Sequence, residues 1–295
     1  MDDAPLPIPR PIDHIVIAVR DLDAARAAWR RLGFTVTPVA RHPFGTANAL
    51  VQLGRAYIEL VAVVDPAMIP SPAEGVYSFG AFVRDYLERR GEGPAMLALN
   101  SRDAEADRAD FEAHDLPVYA PVHFSRLARS PKGEDLEVAF SVAFTSDARM
   151  PDAGFLTCQH HNPDRIWWPE YGRHDNGAHA IDAVAMVGRD PADYHIFFTF
   201  LTGQHDMRSD SLMVSFDTGG GKIEIVTPVT AKAMYGVEVE SNPKLRFIAV
   251  RVATADLAAA AIALKGNGVP FVERMGWMVV PPSEACGVAL AFSGA

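Results

Sequence analysis

The stretch Ile12-Asp13-His14-Ile15-Val16-Ile17-Ala18-Val19-Arg20-Asp21-Leu22-Asp23-Ala24 decides how the chain is read. Up to Val19 it is apolar and β-branched apart from Asp13 and His14, which is the make-up of a buried strand. Asp21 then stands as a helix cap. Leu22, Ala25, Trp29 and Leu32 recur at helical spacing until Gly33 offers a residue that can leave the helix. Three more strand-like pieces lie at 34–39, 47–53 and 56–63, so the local order is β-α-β-β-β.

That unit recurs, and the recurrence sets the architecture. After a turn-rich segment at 65–75 and a helix near 79–90, residues 95–100 read as a strand and 103–114 as a helix. Strands follow at 116–124, 136–145 and 154–160. A third copy opens at 181–187, with a helix at 191–201 and strands at 211–216 and 222–227. The fourth has a strand at 246–252, a helix at 257–266 and strands at 269–274, 277–280 and 287–292. The helix openings repeat as well: Arg20-Asp21-Leu22, Arg102-Asp103-Ala104, Arg189-Asp190-Pro191 and Ala255-Asp256-Leu257. An α+β fold of four βαβββ modules is expected. An aromatic and polar connector at 162–179 separates a first half, 8–161, from a second, 180–295.

Composition agrees with two ordinary domains in 295 residues, with 49% hydrophobic and 22% charged residues. The formal net charge of −10 lacks the cationic face that a phosphate backbone requires, so no nucleic-acid partner is expected. Cys158 and Cys286 have neither zinc nor redox spacing and read as reduced, mostly buried thiols. No apolar h-region follows Met1-Asp2-Asp3-Ala4-Pro5, and no run approaches a membrane span. A soluble cytoplasmic protein is expected, with no membrane partner.

With His in its first strand (Asp13-His14-Ile15) and Glu in its last (Tyr57-Ile58-Glu59-Leu60), the module resembles the vicinal oxygen chelate superfamily. That group includes glyoxalase I, extradiol dioxygenases and bleomycin-binding proteins. The segments Arg41-His42-Pro43-Phe44-Gly45-Thr46-Ala47-Asn48 and Cys158-Gln159-His160 are similar to its glyoxalase-like branch, as is His174-Asp175-Asn176-Gly177-Ala178. The resemblance implies that paired modules form a barrel, a cupped sheet holding one divalent metal ion, so four modules make two barrels. It places His14, Glu59 and His160 as ligands. An imidazole and carboxylate set of this kind suits Fe, Mn, Zn or Ni. Strand parity leaves His160 and His161 open, and Gln159-His160 matches the branch pattern. Read alone, His14 would be a hydrogen-bonded core histidine and Glu59 an edge residue.

Around this set, His42 and Glu59 are the candidates for moving a proton. Arg41, Asn48, Trp167 and His174 are the candidates for holding a small-molecule substrate, with Arg41 suited to a carboxylate. The second half has Ala183 and Ala249 at the first-strand ligand position and keeps only Glu224, so it reads as a degenerate, scaffolding barrel. The expected function is isomerase or lyase chemistry through a metal-stabilised enolate. An Fe(II) extradiol-type dioxygenase and a non-catalytic drug-binding protein are the alternatives. A homodimer stays open, because two barrels in one chain can already supply the pairing.

Overall fold

A computed structural model describes residues 9–71 and 73–294. Residues 1–5 of the N-terminal reading, Ile8 at the start of the first half, Pro72 in the 65–75 segment and Ala295 lie outside the described residues.

The first half runs β1 (Ile12–Ala18), α1 (Leu22–Arg31), β2 (Ala40–Arg41), β3 (Thr46–Leu53), β4 (Ala56–Val63), α2 (Phe79–Arg90), β5 (Gly93–Asn100), α3 (Ala104–Ala113), β6 (Val122–Arg129), β7 (Asp135–Thr145) and β8 (Gly154–His160). The second half runs β9 (Ala178–Val187), α4 (His195–Thr202), β10 (Met207–Ser209), β11 (Met213–Asp217), β12 (Lys222–Val226), α5 (Pro228–Tyr235), β13 (Arg246–Thr254), α6 (Leu257–Gly266), β14 (Val272–Arg274), β15 (Trp277–Val280) and β16 (Ala289–Gly294).

These strands form two eight-stranded sheets of the same design, β2-β3-β4-β1-β5-β8-β7-β6 and β10-β11-β12-β9-β13-β16-β15-β14. Within a module the first strand pairs parallel with the last, as β1 does with β4, and the helix makes the crossover that such pairing demands. The first strands of two modules meet antiparallel at the centre, β1 against β5 and β9 against β13. The fold is the expected α+β arrangement of paired βαβββ modules.

Several elements depart from the sequence reading, each for a local reason. Residues 34–39 lie beside β3 without entering the sheet, and only Ala40 and Arg41 pair with it. Pro38 has no N–H to give a ladder, and the Thr37 N–H and hydroxyl bond Leu50 instead. The strand expected at 116–124 starts at Val122, past Pro117 and Pro121, and continues to Arg129. That expected at 269–274 shortens to Val272–Arg274 beyond Pro270. The helix expected at 191–201 divides into a 3-10 turn, Pro191–Tyr194, and α4. Helix α5 was not expected at all. Thr227 caps it through Thr230 N–H, Pro228 occupies its first turn, and Gly236 closes it in the left-handed region.

Each sheet buries both faces. In the first half Val16, Ala18, Val61, Met96, Phe140, Phe144 and Cys158 pack in one cluster with Val83 and Leu87 of α2, on the concave side. The opposite faces of both sheets share a larger cluster, with Ile15, Ile17, Leu97 and Phe155 from one and Val184, Phe247, Val250 and Phe292 from the other.

Candidate metal centre

The concave side of the first sheet encloses a cavity of about 150 Å³. His14, His42, Asn48, Tyr57, Glu59, Arg126 and Cys158 line it together with Phe44, Phe79, Phe124, Phe140 and Phe144. His14 reaches it through an irregularity. In the pairing of β1 with β5, Ile12 opposes Leu99 and His14 opposes Ala98, leaving Asp13 as an extra residue. Such a bulge re-aims side chains. It lets Ile12 and Ile15 both face the shared core while Asp13 and His14 between them turn toward the polar site.

Asp13 is fully buried and accepts a 2.6 Å hydrogen bond from His14 Nδ1. The imidazoles of His160 and His14 hold its carboxyl well below the usual range, against the opposing effect of burial. With Nδ1 pinned, His14 presents Nε2 to Glu59 Oε2 at 3.6 Å, beyond hydrogen-bond distance, and its ring stacks on Tyr57. Glu59 is held from its other oxygen: Asn48 Nδ2 donates to Oε1 at 2.5 Å. The same amide lies 3.2 Å from His42 Nε2, and His42 Nδ1 lies 2.8 Å from the Thr46 hydroxyl. An Nδ1–H ring satisfies both contacts. Burial, with Arg126 and His14 nearby, pushes the His42 pKa well down and keeps the ring neutral.

A divalent ion fits the residues here on three counts. One imidazole and one carboxylate face each other across a gap too wide for a hydrogen bond. The imidazole's outer nitrogen is anchored by a carboxylate, the usual support of a metal-bound histidine. Asn48 Oδ1 is buried without a partner among the described residues. Asp13, His14 and Cys158 also bring one donor atom each within 4.8 Å of one another. Cys158 is a free, buried thiol whose pKa burial raises well above the ordinary value, ahead of the carboxylates of Asp13 and Glu59.

Residues 12–200 match the glyoxalase-like domain family. The chain belongs to that family. It is thereby part of the vicinal oxygen chelate superfamily, as the expected fold implied. No curated protein matches the sequence. Among solved structures the chain is similar to a hypothetical protein from Staphylococcus aureus at 13% identity and a TM-score of 0.68, over 97% of this chain and 99% of that one. A 4-hydroxymandelate synthase variant from Streptomyces coelicolor gives 13% and 0.62, over 97% and 93%. A Mn(II)-bound glyoxalase from Novosphingobium aromaticivorans gives 12% and 0.58, over 98% and 83%. At these identities the likeness is one of fold.

Of the residues expected in this glyoxalase-like cup, His14, Glu59, His42 and Asn48 come together around the cavity. The others do not. His160 has the parity of Leu156 and Cys158, so β8 turns it to the concave side. Its Nε2 goes to Asp13 at 3.0–3.1 Å, outside the cavity. His161 is exposed and bonds the Ser141 hydroxyl. Arg41 is exposed on the edge strand β2. Trp167 stacks on His160 and lines a separate cavity of about 600 Å³ between the sheets. His174 ties the connector down, with Nδ1 accepting from Thr35 N–H at 3.0 Å and Nε2 donating to the Gln52 carbonyl at 2.7 Å.

Two residues that the sequence reading missed are Arg126 and Arg251. The inward alternation Val122-Phe124-Arg126-Ala128 along β6 carries Arg126 into the cavity, a signal hidden while that strand was placed at 116–124. Arg251 explains the second cup. Glu224 stands opposite Ala185 as Glu59 stands opposite Val16, so Ala183 takes the place of His14 and Asp182 that of Asp13. From the facing strand, Arg251 Nη2 and Nη1 meet Glu224 at 2.6 and 3.0 Å, and Nε meets Asp182 at 2.5 Å. A guanidinium thus neutralises the carboxylate that the first cup leaves facing a histidine.

Proposed function

We propose that the first cup is a metal-dependent active site, performing glyoxalase-like isomerase or lyase chemistry on a small, largely apolar substrate. The observation that carries the reading is the approach of His14 Nε2 to Glu59 Oε2, buried, 3.6 Å apart and unbridged by a hydrogen bond. His14 and Glu59 would hold the ion on the wall of the cavity, leaving its other positions to substrate oxygens. An imidazole and carboxylate pair of this kind suits Fe, Mn, Zn or Ni. The bound ion would act as a Lewis acid toward vicinal substrate oxygens.

The remaining work falls to the chain's own residues. His42 lines the cavity as a neutral ring whose Nε2 accepts from the Asn48 amide, so it takes a proton from the carbon beside the substrate carbonyl where the substrate displaces that contact. Asn48 fixes one oxygen of Glu59 and the orientation of His42 at once. The phenylalanines exclude water from the site. His160 acts through Asp13, which it contacts, and so positions His14 without itself being a ligand.

Metal analysis of the purified protein and titration with Zn(II) and Mn(II) test the reading. Stoichiometric binding is expected, lost in His14→Ala and Glu59→Gln. Binding unchanged by His14→Ala overturns it. The aromatic lining also suits ring substrates, so oxygen uptake with catechols after anaerobic Fe(II) loading separates dioxygenase from isomerase chemistry.

A further inference from the structure

We infer that Arg126 is the anchor for a substrate carboxylate, and that the cavity takes a small aromatic or similarly flat apolar molecule bearing one such group. The inference rests on the reading of the first cup as a substrate site and adds the class of molecule it accepts.

Strand β6 alternates strictly, and its inward positions are Val122, Phe124, Arg126 and Ala128. A cation among apolar neighbours on the inward face is costly unless something pairs with it. Nothing among the described residues does so: its one hydrogen bond there is a 3.4 Å contact from Nη1 to the Leu127 carbonyl. Glu59, the carboxylate in the same cavity, is engaged with Asn48 and lies outside ion-pair distance of Arg126. The guanidinium rests 5.5 Å over the Phe140 ring, which supports its face and leaves its donor edge for a ligand. Burial lowers its pKa, as expected of a desolvated cation that lacks a counter-ion.

The second cup supplies an internal contrast. There the buried arginine, Arg251, has two carboxylates and a tyrosine hydroxyl within 3.0 Å. In the first cup the arginine has no such partner, and a cavity takes the place of one. A planar fork matches a carboxylate with two parallel bonds. The volume of about 150 Å³, walled by phenylalanine, is of benzene size. The cation, the aromatic wall and the His14–Glu59 pair define one molecule: a carboxylate, a flat apolar body, and oxygen functions at the metal.

Calorimetry on the full chain with benzoate and benzamide, run both with Zn(II) and after EDTA treatment, tests this. Benzoate is expected to bind at least about tenfold more tightly than benzamide in both states. Arg126→Gln is expected to abolish that preference while leaving benzamide within about twofold. Equal affinities in the wild type, no binding of either probe, or a preference that survives Arg126→Gln overturns the inference. A preference that vanishes with EDTA also overturns it, since the ion would then be holding the carboxylate. A preference that persists in protein unable to bind metal upholds Arg126 and rejects the metal reading. If Arg126→Gln loses its near-UV spectrum, Arg126→Lys decides. It keeps the charge without the fork, so a severalfold loss for benzoate alone is expected, and unchanged binding overturns the assignment.

Discussion

His14 can face a metal only because Asp13 occupies its other nitrogen. Both owe their direction to the bulge that leaves Asp13 unopposed. Replacing Asp13 with Asn keeps the side chain's shape and removes the charge that fixes the ring. Loss of this kind of support typically costs about 10- to 100-fold in metal affinity. Asp13→Asn is therefore expected to weaken Zn(II) binding by that factor with the far-UV spectrum intact, and unchanged affinity would show that His14 orients itself. His174 governs a different observable. The fold uses its neutral ring, and burial pushes its pKa below the ordinary value. The unfolded chain protonates this histidine near about 6.5 and the folded chain only at lower pH. The unfolded state binds the extra proton in that window, so stability falls as pH drops through it. His174→Gln should flatten this part of the profile of urea midpoint against pH; an unaltered slope would place the proton elsewhere. At this scale His14 and Glu59 were legible because the repeat aligned first and last strands. His174 was not, because a connector has no period to say that its histidine bonds Thr35 and Gln52.

An element shows what the sequence conceals when register is lost. Strand β6 starts six residues later than its apolar run suggests, and without that phase Arg126 has no face; the prolines that delay its start are visible in the sequence, but their effect on inward positions is not. Helix α5 carried its signals openly in Thr227, Pro228 and Gly236, and it occupies the place that α2 takes in the first half. Strands β12 and β13 raise the matter of charge. Glu224 was legible as a leftover ligand, while its partner Arg251 sits on a strand 27 residues away, which only the β9 to β13 pairing brings close. Arg251→Met leaves Glu224 buried without a cation and Asp182, half-buried, without its partner, and breaking a buried pair of this kind costs about 3–5 kcal/mol. Arg251→Met with Glu224→Leu should recover part of that, because two apolar groups need no counter-charge. Urea unfolding of the single and double variants checks this. A single variant within about 0.5 kcal/mol of wild type would mean that the pair is no prop of the second cup.

At the scale of the molecule, the question is whether the halves stand independently. The sequence divides them at 162–179, yet the shared core runs through that division. Phe155 of β8 meets Phe197 and Phe198 of α4 and Phe247 of β13, and Phe34 stacks on Phe292. Arg10 joins α3 to α4, pairing with Asp107 and Asp110 while donating to the Phe200 carbonyl. The connector is fastened in the same way. Asn176 is fully buried, donates to the Leu32 carbonyl, and packs so close to Gly33 that a Cβ there would sit 3.1 Å from the Asn176 Cβ. Gly33 has φ +86°, so glycine is required at that crossing on two counts. An apolar interface of this continuity couples the halves, whereas more polar contacts leave domains free to move. One cooperative unfolding transition is therefore expected. Trp277 is the tryptophan of the second half, so in Trp277→Phe protein the fluorescence comes from Trp29 of the first half and Trp167 and Trp168 of the connector, all outside the second half. Adding Met234→Ala, a change in the core cluster that belongs to the second half alone, should cost about 2–5 kcal/mol. It should move that fluorescence midpoint and the far-UV midpoint together. A fluorescence midpoint that stays in place while the circular dichroism shifts would show two independent domains.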